Sequence, residues 1–243
     1  MKSAPLKCPF GFQKSKANIE FYDRDRYLVN FSEIGKDYNH SILNSYSKQI
    51  LDVDIYLQNV VSQENDQLGR SGVVCPYTPG AFQRENLYFT VYKENLTNRI
   101  ESKELVLDYM NLFLSKEPTS GKYRDFKSIL ILLPEVSNEY SEEVIERVQN
   151  ELKQYFVKNG LMIGQFYPNC SSPGIHNPKF RPLKSPIPLL VIRYMVKYDY
   201  VFLEDYEEEY FRNFQNNYDP KALDFFACKS VKRMRKRKGK SSA

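Results

Sequence analysis

One proline-rich stretch, Pro168 to Pro188, gathers a histidine, a cysteine, an arginine and two lysines, with six of the chain's thirteen prolines. Proline fixes φ and lacks an N–H donor, so this stretch is a stiff loop, neither helix nor inner strand. His176, in PGIHNP, is the one histidine in such a loop. A ring aimed by a rigid backbone suits a metal ligand or an acid–base group; it equally suits a brace for loop carbonyls. Arg181 (KFRPLKSP) and Arg70 (LGRSG) also lie in stiff loops and are the candidates to clamp a carboxylate or phosphate. Arg193 interrupts the apolar run LLVIRYM, which favours an internal ion pair. Cys8 and Cys75 are each followed by proline and an aromatic, and Cys170 lies in YPNCSSPG. Thiolates that ligate haem iron are often followed by proline, whereas the plainer reading is a set of buried thiols. His40, ahead of the first helix, reads as a surface residue.

Several chemistries have no place here. No GxxxxGK[ST], GxGxxG, HExxH or GxSxG occurs, and two histidines cannot form a three-histidine zinc site. The formal net charge of +5 comes from residues 229–240, KSVKRMRKRKGK. Without their eight basic residues the chain carries 27 basic and 30 acidic residues. The body is therefore mildly acidic, which argues against a broad nucleic-acid-binding face on it, and contact with an acidic partner or nucleic acid is expected through that tail. No apolar run approaches the roughly 18 residues of a membrane span, and residues 1–12 lack the apolar core of an export signal. Four cysteines without a CxxC pair then read as reduced thiols in a cytoplasmic protein.

The elements that must carry these residues follow from periodicity. Residues 18–31 alternate as a hairpin turning at Asp23-Arg24-Asp25. Leu43, Tyr46, Ile50, Val53, Leu57 and Val60 mark one face of a helix over 41–61. A Gly- and Pro-rich loop spans 62–84, and 86–92 alternate as a strand. Leu105, Tyr109, Leu112 and Phe113 mark a second helix that ends before Pro118. SILILL, 128–133, reads as a strand buried on both faces. Val144, Val148, Leu152 and Phe156 mark a third helix over 141–158, ended by Gly160. Strands at 161–167 and 188–195 flank the proline loop, and 204–226 is acidic and aromatic. A hairpin followed by alternating strands and helices predicts a single-domain α/β sandwich with a mixed sheet. Residues 1–228 form that domain and 229–243 a basic, disordered tail. The 168–188 loop is expected to lie against the 65–84 loop, on the argument that both precede strands entering the sheet in one direction.

GRSGVVCPYTPGA, together with GLMIGQFYPNCSSPGIHNPKFRPLKSPIPLLVIRYMV, resembles a bacterial domain family of unknown function. That family pairs a Gly-Arg-x-Gly-x-x-Cys-Pro loop with a later Phe-Arg-Pro-Leu-x-Ser-Pro-x-Pro-Leu-Leu run, and the likeness covers roughly residues 65–203. Cys8-Pro9-Phe10 and His176-Asn177-Pro178 through Arg181 are also similar to parts of the haem-dependent N-hydroxylases of pre-guanitoxin and arginine type. This second resemblance implies a haem-binding, oxygen-using enzyme acting on a small amine or guanidine compound. His176 would be the axial metal ligand, with Cys170, Cys75 and Cys8 as further cofactor-binding candidates. Arg181 or Arg70 would hold a propionate or a substrate carboxylate. The alternative is a non-catalytic binding or regulatory module that recognises an anionic ligand or protein partner through the 168–188 loop.

Overall fold

The computed structural model describes residues 15–203. Six strands form one mixed sheet: β1 (Ile19–Phe21), β2 (Tyr27–Asn30), β3 (Leu87–Val91), β4 (Ser128–Leu132), β5 (Leu161–Phe166) and β6 (Leu189–Tyr194). They are ordered β1-β2-β3-β4-β6-β5. Only β3 and β4 run parallel; every other neighbouring pair is antiparallel. The parallel pair needs a crossover, which is α4 (Arg99–Ser115). Asn98 caps that helix through the Ile100 and Glu101 amides.

Alternation along the strands sorts side chains into two cores. Tyr88, Ile129, Ile131, Ile163, Leu190 and Ile192 face α4 and α5 (Arg147–Lys158). Leu87, Phe89, Leu130, Leu132 and Leu189 face the helices α1 (Ser41–Ser45), α2 (Ser47–Tyr56) and α3 (Thr78–Gln83). The expected α/β sandwich with a mixed sheet is therefore what forms.

Departures from the expected elements have local causes. The helix over 41–61 breaks at Tyr46 into α1 and α2, then widens into a π turn, Leu57–Val61. A π turn adds a residue per turn, so the apolar face slips by one. Val61 is buried in place of Val60, which is 38% exposed. A second π turn, Glu142–Glu146, leads into α5. His40 is not a free surface residue: its Nδ1 accepts from the Leu43 amide at the start of α1, and its ring packs on Tyr27 and Phe21. Burial lowers its pKa. Among the described residues no helix is long and apolar enough to cross a membrane.

Candidate functional site

The 168–188 loop joins β5 to β6 at the end of the sheet where β3 and β4 finish, since Leu189 lies opposite both Phe166 and Leu132. It meets the earlier loop as expected. Asn177 Nδ2 donates to Gln67 O at 2.7 Å. Gly69, at φ +77°, sits so close that an added Cβ would lie 3.0 Å from His176 O. The reason differs from the expected one. β3 and β6 are both neighbours of β4 but run in opposite directions, so the loops preceding them join their strands at opposite ends of the sheet. Contact arises because the 62–77 segment crosses the second core, from the end of the π turn after α2 to α3.

The loop is held from both layers of helices. Tyr56, the last residue of α2, donates its hydroxyl to Pro182 O at 2.9 Å. Tyr167, at the foot of the loop, donates to Glu146, the last residue of the second π turn. Burial first, and then the thiols of Cys170 and Cys75, push the Tyr56 pKa up. Burial and the Glu146 carboxylate do the same for Tyr167, so both phenols stay protonated and able to donate. Within the loop, the Gly174 amide donates to Phe180 O and the Phe180 amide to Asn177 O. Gln165, on the β5 face that also carries Ile163, donates to Ser172 Oγ at 3.0 Å, while its buried Oε1 has no partner.

His176 is exposed, and neither ring nitrogen has a hydrogen-bond partner among the described residues. Arg181 is half-buried and donates from Nη1 to Pro178 O and Phe180 O. Arg70, exposed on the facing loop, donates to Ser71 O and Val74 O. Both arginines thus stiffen their own loops and keep some N–H groups outward. Cys170 is fully buried in the first core and Cys75 is half-buried against the second. The buried Cys170 thiol does not reach the exposed surface of His176. Cys8, residues 204–226 and the basic tail lie outside the described residues.

A haem on this loop needs a free imidazole, an apolar neighbour and cations for its propionates. His176 supplies the imidazole, Ile175 beside it is 53% exposed, and Arg70 and Arg181 flank the junction. The residue types fit one axial ligand. Among the described residues no group of three His, Cys, Asp or Glu side chains is placed to hold a bare metal ion.

A family model for a domain of unknown function, DUF6875, matches residues 50–226. The chain belongs to the DUF6875 family. The DUF6875 match spans both loops and the strands from β3 to β6, and leaves β1, β2 and α1 before it, although these belong to the sheet and the second core. No curated protein and no solved structure matches the chain.

Three features of this end escaped sequence reasoning. Tyr56 lay off the apolar stripe read for its helix. Glu146 is one acid among several at the start of its helix and carries no signal of its own. The tyrosine before Pro168 was the one available signal, because a phenol leading into a stiff loop is well placed to anchor it. Arg193 behaves as expected: it forms a two-pronged ion pair with Asp199, at 2.6 and 2.7 Å. Burial alone would lower its pKa, but the carboxylate outweighs that and raises it.

Proposed function

We propose that the junction of the two loops binds haem through His176, and that the protein is a haem-dependent oxidoreductase acting on a small amine or guanidine compound. The observation that carries this reading is the unengaged His176 imidazole on a loop fixed from three sides, by Gln67, Tyr56 and Tyr167. Bound there, haem supplies oxygen chemistry; the chain's own part is to mount the ligand and to hold carboxylates with Arg70 and Arg181. Titration of the purified protein with haemin tests it. A Soret shift in the wild type that His176→Ala removes, with the far-ultraviolet circular dichroism unchanged, supports the proposal. No haem uptake by the wild type overturns it.

The second reading, an anion-binding module, is favoured by the use of both guanidiniums as loop braces beside the exposed Lys179 and Lys184. Calorimetric titration with polyaspartate tests this reading. It requires binding that Lys179→Glu and Lys184→Glu weaken and that salt suppresses.

A further inference from the structure

The opposite end of the sheet, where β3 and β4 begin and β6 ends, has a different chemistry. All seven cation–π contacts among the described residues fall there. At roughly one per 70–80 residues, a span of this length would hold about two or three. The Arg84 guanidinium lies 4.2 Å from the Phe126 ring centroid and 5.3 Å from that of Tyr123. The Lys122 ammonium lies 4.8 Å from the Tyr123 centroid, and Arg124 4.4 Å from that of Tyr194.

These cations are only weakly neutralised. Arg84 and Lys122 take part in no ion pair among the described residues, and Arg124 meets Asp125 only at 3.7 Å. Lys116, by contrast, is paired with Glu20, and Lys127 is buried. Arg84 donates Nη1 to Gly80 O, yet its Nε is buried without a partner. The platform is rigid: Phe126 presses so closely on α3 that a Cβ at Gly80 would strike its ring. Tyr123 is nevertheless 46% exposed and Lys122 is exposed. An exposed ring with the Arg84 guanidinium 5.3 Å from its centroid, and with Lys122 and Arg84 outside any ion pair among the described residues, suits one kind of ligand, a planar base attached to a phosphate.

We propose that this end of the sheet binds nucleotides, with a base stacked on Tyr123 and its phosphate held by Lys122, Arg84 and Arg124. The base takes the place now held by the Lys122 ammonium, whose flexible stem lets it swing to the phosphate. The Arg84 Nη2 group, not engaged by Gly80, and the Arg124 guanidinium complete the anion contact. This site lies at the other end of the sheet from His176 and does not depend on what is bound there.

The test is fluorescence anisotropy of the full chain with a fluorescein-labelled oligouridylate of about 20 nucleotides. Tyr123→Ala should weaken binding by about tenfold or more, as loss of a stacked base does, and Tyr123→Phe should bind as the wild type. Lys122→Glu should weaken binding and flatten its salt dependence. Displacement of the labelled strand by ATP assigns the platform to free nucleotides; failure of ATP to displace it assigns the platform to single strands. If Tyr123→Ala and Lys122→Glu bind as tightly as the wild type, binding belongs to the basic segment 229–240 and the proposal falls.

Discussion

Lys127→Met should cost little stability at neutral pH and much more at alkaline pH. Lys127 is fully buried, and its ammonium donates to Phe113 O at 2.7 Å and to Lys116 O, carbonyls of the last turn of α4. Its charge also lies over the Phe113 and Tyr194 rings, at 4.4 and 5.0 Å. Burial lowers its pKa from 10.5 to about 8, against the pull of Glu117 and with the push of Lys116 and Arg124. The folded protein therefore releases this proton first. Between about pH 8 and 10.5 the unfolded chain binds more protons, so stability rises with pH, by at most about 3 kcal/mol over the whole interval. A neutral amine keeps two N–H donors, enough for both carbonyls. Methionine removes both hydrogen bonds, at about 1–3 kcal/mol for each carbonyl left unpaired, and also removes the cost of burying a charge. The two effects nearly offset below pH 8, leaving a loss of about 1–2 kcal/mol, which grows to about 3–5 kcal/mol near pH 10. Urea denaturation of wild type and variant from pH 7 to 10 measures the difference and cancels the titration of the tyrosines. A difference that stays flat or shrinks with pH would refute the reasoning, because it would mean that the carbonyls and rings hold the cation more firmly than burial expels it.

Asp199→Ala leaves the partly buried Arg193 guanidinium without its carboxylate and should cost up to about 3–5 kcal/mol in chemical denaturation, whereas replacing both partners with apolar residues should recover most of that. Tyr56→Phe deletes the bond to Pro182 O; it should lower stability by about 0.5–1.5 kcal/mol and speed proteolysis within 168–188 with little effect elsewhere. Gly69→Ala meets both an unfavourable φ and the His176 carbonyl; a loss of about 1–3 kcal/mol is expected, and a neutral result would show that the two loops are not in fixed contact.

The six strands and three principal helices were legible because apolar spacing of two and of three to four residues survives any tertiary context. Val144, Val148, Leu152 and Phe156 are buried as their spacing required. The one-residue slip from Val60 to Val61 was not legible, because a π turn has no composition of its own. The junction of the two loops was read correctly from their proline and glycine content but for a mistaken reason, since strand direction cannot be read from a single strand. Lys127 illustrates the hardest case. It opens the run KSILILL and looks like a solvated flank, and only the return of α4 to the start of β4 turns it into a buried cap. The cation–π platform has no linear signature either, because Arg84 and the 116–127 cations converge only through the β3–β4 pairing.

The hydrogen bonds that close the His176 loop join residues far apart in the chain: 110 positions separate Asn177 from Gln67, and 126 separate Tyr56 from Pro182. Contacts of such long range are repaid only after the chain between them has been ordered, so they form late in folding. Pro182 reaches Tyr56 across the β3-β4-β6 pairing, and Asn177 reaches Gln67 across the turn of β5 back on β6. The junction therefore depends on both cores at once, since it exists only where Gln67, Tyr56 and the 168–188 loop have been brought together. Any ligand that needs His176 held against Gly69 binds only chains in which that junction is formed, and so stabilises the folded state by mass action.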